Sequence, residues 1–327
     1  MSAGVSRVSR IVVIGSINMD LVIRCETIAR PGETISGRSL EEIPGGKGAN
    51  QAVAAARLGA AVTLVGRVGD DAFGQLLRDG LEREGIDLRF VWTTAGTSSG
   101  VAVIQVDDRG QNSIVVIPGA NAALTPADVW AAESAIAEAD AVLLQFEIPQ
   151  ETVAAAVLLA RRHSVRVIVD PAPAREDVDA TVLSADWLLP NETEAERLTG
   201  LPVQTADEAC AAAVSLRQRG CLRSVITRGE HGVIMADADG ELWCVEPYRV
   251  VTVDTTAAGD AFAAGLAIGL SQGKSDADAV RYACAAGATA AARPGAQPAM
   301  PSMRDVELLM REQPESGRLS RLPVAPR

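Results

Sequence analysis

Aromatic residues are scarce in this sequence: Phe, Trp and Tyr together make up 3% of the chain. A surface for single-stranded nucleic acid needs aromatic platforms on which bases stack, so the scarcity argues against one. Basic residues are also in deficit. Thirty Lys and Arg against 42 Asp and Glu leave a formal charge of −12 at pH 7, the wrong sign for neutralising a phosphate backbone. Only two histidines occur, His163 and His231, and neither sits in a metal-binding spacing, so a His-liganded metal or a Ser-His-Asp triad is not expected. The five cysteines (Cys25, Cys210, Cys221, Cys244 and Cys284) are odd in number and form no CxxC, and read as ordinary thiols of a reducing compartment. No apolar run approaches the ~18 residues that cross a bilayer. The run Ile11 to Ile14, after Arg7 and Arg10, is too short for the apolar region of a signal peptide, so the chain is expected in the cytoplasm.

What is present is aliphatic. Hydrophobic residues make up 48% of the 327, mostly Ala, Val, Leu and Ile, as in a helix-covered parallel sheet. Apolar runs at Ile11 to Gly15, Ala61 to Gly66, Ala141 to Gln145, Val165 to Asp170, Trp187 to Leu189 and Ser224 to Thr227 predict buried strands. Between them, Gly48 to Leu58, Asp71 to Glu84, Pro126 to Glu138, Glu151 to Arg162 and Ala206 to Arg219 predict Ala-rich helices, an alternation that implies one α/β domain. Leu21 to Ile43 and Gly100 to Ile117 break the rhythm with β-branched residues and turn signals. They are expected to form a small β-sheet projecting as a lid. Residues 255–271, 276–292 and 301–312 predict C-terminal helices, and 313–327 a polar, disordered tail.

Four segments carry chemistry. Gly45-Gly-Lys-Gly-Ala-Asn-Gln51 opens a helix after the lid: Gly46 permits close backbone approach, Lys47 brings charge, and Asn50 both donates and accepts. The same pattern alone is commonly turn punctuation. Val253-Asp-Thr-Thr-Ala-Ala-Gly-Asp260 precedes a wholly apolar helix, so the amides of Ala257, Ala258, Gly259 and Asp260 form an anion hole. Asp260 there is either a helix N-cap or a general base beside a transferring phosphoryl group. Asn191 and Glu194 have capping-box spacing, yet they also follow a strand, where open α/β sheets bind ligands and where a hydrated Mg²⁺ would sit. Thr227-Arg-Gly-Glu-His-Gly232 is a strand-end turn suited to nucleotide phosphates, with Arg228 as a candidate cation.

In this order and spacing, these segments resemble the ribokinase-like, or phosphofructokinase-B, carbohydrate kinases from about Ile11 to Met310. The resemblance extends to Gly15-Ser-Ile-Asn-Met-Asp20, Gly119-Ala-Asn121, Asp170-Pro-Ala-Pro-Ala174 and Gly295-Ala-Gln-Pro298. It implies a three-layer α/β/α core, with a mostly parallel sheet, over 11–16, 44–99 and 118–312. The lid would come from 17–43 and 100–117. Separately, a projecting lid sheet leaves edges and an apolar face that another copy could cover, so a homodimer through the lids is expected. The resemblance also implies an ATP-dependent sugar kinase, with D-ribose the favoured sugar. Asn18, Asp20, Gly46, Lys47, Asn50 and Glu147 would hold sugar hydroxyls, Ala102, Ile104 and Val116 would cover the sugar, and Asp260 would be the base. Asn191, Glu194, Thr227, Gly229, Gly232, Gly259 and Cys284 would serve ATP, with Glu194 reaching Mg²⁺ through water. The Asp254 carboxylate and the carbonyls of Thr256, Ala290, Arg293 and Gly295 would hold K⁺. Ala299 stands where a hydroxyl often helps ligate that cation, and Cys284 where a polar residue often flanks adenine.

Other readings fit less well. A nicotinamide dehydrogenase would carry GxGxxG after the first strand, where this chain has Gly15-Ser-Ile-Asn-Met-Asp20. A sugar sensor without catalysis has no need of Asp260 beside an anion hole. Kinases of deoxyribose, fructose, a keto-deoxy sugar acid or a nucleoside differ only in the sugar-facing residues.

Overall fold

A computed structural model describes residues 7–322 of the chain. Its strands are β1 (Arg10–Ile14), β2 (Asn18–Cys25), β3 (Gly37–Gly45), β4 (Ala61–Gly69), β5 (Asp87–Thr94), β6 (Gly100–Val106), β7 (Asn112–Ile117), β8 (Ala141–Leu144), β9 (Arg166–Val169), β10 (Trp187–Leu188), β11 (Arg223–Thr227), β12 (Val233–Ala236), β13 (Leu242–Val245) and β14 (Leu319–Leu322). The helices are α1 (Lys47–Arg57), α2 (Ala72–Arg83), α3 (Pro126–Ala131), α4 (Glu133–Ala137), α5 (Gln150–Arg162), α6 (Ala180–Leu183), α7 (Glu192–Thr199), α8 (Ala206–Gln218), α9 (Ala258–Ser271), α10 (Asp276–Ala291) and α11 (Met303–Glu312).

Ten strands form the main sheet, in the order β14-β13-β12-β11-β10-β9-β8-β1-β4-β5. From β5 to β11 every neighbour is parallel, whereas β12, β13 and β14 add an antiparallel edge. Side-chain alternation explains the layers. Ile11 and Val13 of β1 pack with α1, α9 and α10, while Val12 and Ile14 pack with α3, α4 and α5, so a strand with no polar residue after Arg10 is covered on both faces.

The second sheet, β3-β2-β6-β7, lies apart from this core. Asp20 pairs with Ala102, which pairs with Val116, and Ile104 lies two residues on along the same face, opposite Val22. Ala102 is buried and Ile104 half-buried, but Val116 is 47% exposed.

Three sequence expectations are corrected. The helix over 126–138 is two short ones, because Ala132 leaves helical geometry at φ −91° and ψ 8°. Strands β5, β12 and β13 are additional to those expected: β5 mixes polar and apolar residues, and β12 and β13 are apolar blocks of only four residues. The disordered tail is overturned for 313–322: β14 pairs antiparallel with β13 and packs Leu319 and Leu322 on the core, because the open edge of β13 offers unpaired backbone groups. The remainder of that tail, 323–327, lies outside the described residues.

Candidate active site

The site forms where the carboxyl ends of β1 and β8 to β11 meet the N-termini of α1 and α9. Gly46 caps α1 at φ 86°, and a Cβ there would meet the Asn18 nitrogen at 2.6 Å. Gly48 is as tightly placed, since its Cβ would lie 2.5 Å from the Gly15 carbonyl carbon. These glycines let α1 dock directly on the turn after β1. The first amides of α1 are then satisfied from outside the helix: Lys47 N donates to Glu147 Oε2 at 3.1 Å, Gly48 N to Ser16 Oγ at 3.3 Å, and Ala49 N to Ser16 O at 2.9 Å. The same Glu147 oxygen accepts from Ser16 Oγ at 2.5 Å and Asn18 Nδ2 at 3.4 Å. Asn121 fixes Asn18 in turn, donating to its Oδ1 at 2.7 Å.

Asp260 sits in the first turn of α9 and is 2% exposed. The N-cap of α9 is Ala257, without a side-chain cap, so the N-cap reading of Asp260 is overturned. Its carboxylate points instead at α1, accepting from Asn50 Nδ2 at 2.9 Å and from Gln51 Nε2 at 3.1 Å. Gln51 Nε2 also donates to Asp170 Oδ2 at 3.1 Å, Lys47 Nζ lies 3.7 Å from that oxygen, and Gln145 Nε2 donates to Gln51 Oε1 at 2.6 Å. Asn50 Oδ1 is buried beside this network with no protein partner. Such an acceptor calls for a ligand donor.

Burial dominates the electrostatics. It pushes Asp260 up to about 7, with nearby Asp170 adding and Lys47 opposing. Asp170 rises to about 6 and Asp20 to about 7, again chiefly by burial, the latter helped by Glu147 and Asp260. Burial pulls the Lys47 ammonium down, but Asp170, Asp260, Glu147 and Glu194 outweigh it and hold its pKa above the usual range. One fixed cation thus sits among carboxyls poised near neutrality, the arrangement expected where protons move.

Ala258 N donates to Thr255 O at 3.2 Å, so it is not free for an anion as the sequence suggested. Among the described residues the Gly259 and Asp260 amides have no protein acceptor, and nothing lies within 4 Å of a Cβ built on exposed Gly259. The hole is therefore narrower than four amides, and it opens beside the Asp260 carboxylate.

On the other flank, Asn191 and Thr227 bridge the ends of β10 and β11. Asn191 and Glu194 do make the reciprocal capping box of α7, at 2.8 and 2.9 Å. Glu194 nonetheless faces the site: burial raises its pKa, and the charges of Lys47 and Asp260 reach it. The two glycines of the following turn differ. Gly229 has open space, whereas a Cβ on Gly232 would strike the Val245 carbonyl at 2.1 Å, so Gly232 serves the sheet. Arg228 is tied to Glu192 at 3.2 Å and is not a free cation. Cys284 is buried on α10, where burial pushes its thiol up to about 12.

The residues named for a monovalent cation converge as well. Asp254 Oδ2 accepts from Gly295 N at 3.0 Å and Oδ1 from Thr256 N at 3.0 Å, and these bonds outweigh burial to hold its carboxyl below the usual range. The carbonyls of Thr256, Arg293 and Gly295 accept no hydrogen bond among the described residues, while that of Ala290 accepts one from Arg293 N at 3.0 Å. An ionised carboxylate with spare carbonyls fits a hard cation. Among the described residues no cluster of three His, Cys, Asp or Glu could hold a metal ion.

The sequence model described as pfkB family carbohydrate kinase matches residues 8–303. The chain belongs to that family. Its relatives include a Bacillus subtilis ribokinase, 41% identical over 92% of this chain and 99% of the relative. A Salmonella typhi deoxyribokinase is also 41% identical, over 77% of this chain and 82% of the relative. Among solved structures, Arabidopsis thaliana ribokinase complexed with ribose and ATP superposes with a TM-score of 0.85 at 32% identity, covering 93% of this chain and 99% of that one.

In this pfkB-family kinase the sequence reading assigned no role to Ser16, Gln51, Asn121, Gln145 and Asp170, which hold the centre together. A signal for two of them was present. Gln145 and Asp170 each end a run of apolar strand residues, and a polar group at a buried strand's carboxyl end is where such sheets bind ligands.

Proposed function

We propose that this kinase transfers the γ-phosphoryl group of ATP to the primary hydroxyl of D-ribose, giving ribose 5-phosphate and ADP. The observation that carries the reading is Asp260: a buried carboxylate held by Asn50 and Gln51 beside the unpartnered amides of Gly259 and Asp260. The hydroxyl oxygen bonds to the γ-phosphorus, the bond to the β–γ bridging oxygen breaks, and Asp260 takes the proton. The two amides oppose the charge that gathers on the phosphoryl oxygens. Asn18, Asp20, Lys47, Asn50 and Glu147 bind the sugar, and Ala102, Ile104 and Val116 close over it from the lid. Asn191, Glu194, Thr227, Gly229 and Cys284 line the nucleotide side. Mg²⁺ bound with ATP would neutralise charge on its phosphates, and Glu194 would hold it through water. K⁺ fits Asp254 and the carbonyls of Thr256, Ala290, Arg293 and Gly295, where its charge deepens the anion hole.

The five unpaired cysteines fit a reducing cytoplasm. The exposed apolar edge of the lid supports a homodimer.

Deoxyribose is the second reading, because a deoxyribokinase relative matches as well by identity. The sugar side favours ribose: Asn50 Oδ1 and Asp20 are buried acceptors, and a missing hydroxyl strands such groups. The test is ADP formation from a sugar panel with and without K⁺. Ribose should exceed 2-deoxyribose in kcat/KM by at least about tenfold, and K⁺ should raise kcat, with weak affinity because Ala299 brings no hydroxyl. Equal kcat/KM for the two sugars overturns the ribose assignment, and equal rates in K⁺-free buffer overturn the cation.

A further inference from the structure

The family match ends at residue 303, yet the chain continues into β14 and reaches back to the nucleotide side of the site. The link is the stretch 246–257, which joins β13 to α9, carries Asp254 and Thr256, and leads into the helix start where the Gly259 and Asp260 amides lie. Its far end is tied to α10: Val253 N and Asp254 N both donate to Ala291 O, at 2.8 and 3.2 Å. Its near end is tied to the C-terminal segment. Glu246 N donates to Arg318 O at 3.0 Å. Arg249 N donates to Gln313 Oε1 at 2.9 Å, and Gln313 Nε2 donates back to Arg249 O at 2.8 Å. One primary amide thus pairs with both backbone groups of a single residue, as a neighbouring strand would.

Two further contacts reinforce this anchor. Arg281 Nε donates to Tyr248 Oη at 3.2 Å while its Nη2 donates to Pro314 O at 3.1 Å, bridging stretch and tail. Gly317, at φ 65°, lies so close over this pair that a Cβ would meet Tyr248 Oη and Arg281 Cγ at 2.8 Å. Tyr248 is buried, and Arg281, which holds it, lies on α10 three residues before Cys284, the residue proposed above for the nucleotide side. Between the two anchors Val251 stands 85% exposed, and Val253, at the far anchor, 57%, so the conformation of this stretch rests on its backbone ties.

We infer that Gln313 is a positioning residue for nucleotide binding, and that the segment from Gln313 to Leu322 is a clamp fixing the stretch between β13 and α9. The inference rests on the ATP-dependent reading of the site. The probe is Mg·ADP, titrated calorimetrically into the full chain, so the result does not depend on which sugar is phosphorylated. Gln313→Ala removes both bonds to Arg249. It should weaken Mg·ADP about three- to tenfold, with KM for ribose and kcat each within about twofold of wild type. Arg321→Ala is the control: it breaks the Arg321–Glu241 ion pair at the outer edge of β14 without touching 246–253. It should lower Tm but leave Mg·ADP affinity unchanged. Mg·ADP affinity within twofold of wild type in Gln313→Ala, or an equal loss in both variants, overturns the clamp. Failure of ribose to yield ADP instead overturns the sugar assignment, and the Mg·ADP titration still decides the clamp.

Discussion

Asp260 is the residue at which the proposed chemistry is most exposed to test. Asp260→Asn keeps the volume, and the network stays satisfiable because the orphaned Asn50 Oδ1 can turn to accept from the new amide. Loss of the base should lower kcat by roughly 10²- to 10⁴-fold while Mg·ADP affinity changes little. The pH dependence follows from the same carboxyl. With its pKa raised to about 7, Asp260 is protonated below neutrality and cannot accept a proton, so kcat/KM should fall as pH drops from 8 to 6. Asp20 titrates in the same range, so the acidic limb belongs to the cluster and not to one residue. A flat kcat/KM between pH 6 and 8 would remove Asp260 as base.

Among the elements, β7 is the one whose residues suit a partner better than water. Ile114, Val115, Val116 and Ile117 are 46–61% exposed along an edge strand, an arrangement soluble chains avoid unless something covers it. A second copy's lid would cover both the edge and its apolar side chains. Val115→Lys puts a charge on the most exposed of the four. It should convert a dimer to a monomer in sedimentation velocity at micromolar concentration, without lowering Tm of the monomer appreciably. A wild-type chain that sediments as a monomer would exclude the lid dimer outright.

At the scale of the molecule, the site is held at the expense of stability. Asp260 titrates at 3.8 when unfolded and at about 7 when folded, so the folded state binds its proton more tightly. Its favourable contribution is fully present below 3.8 and is lost as pH rises through about 7. Asp260→Asn carries no such penalty. The variant should therefore be more stable than the wild-type apo-protein at pH 8, by roughly 1–3 kcal/mol, and the difference should close as pH is lowered towards 4. Urea unfolding at the two pH values measures it, and a variant less stable at pH 8 contradicts the buried-charge account.

The sequence by itself determined the layered architecture and the two helix starts of the candidate site, for a physical reason. Apolar runs such as Ala141 to Leu144 have few alternatives to a doubly covered strand, and an apolar helix led by Ala257-Ala-Gly-Asp260 is buried along its length while its first amides need acceptors from outside the helix. Local pattern also placed Gly46 and Lys47 at a helix start. Only the tertiary structure decided what depends on distant partners. Gln51, Gln145 and Asp170 come from three different parts of the chain and acquire meaning only when Asp260 arrives, 209 residues after Gln51. Whether Asp260 caps α9 likewise lay in which residue began that helix, a matter of one turn that local propensity leaves open. The tail read as disordered because its few apolar residues bury little alone; the open edge of β13, which no local pattern encodes, supplied the missing half of each hydrogen bond.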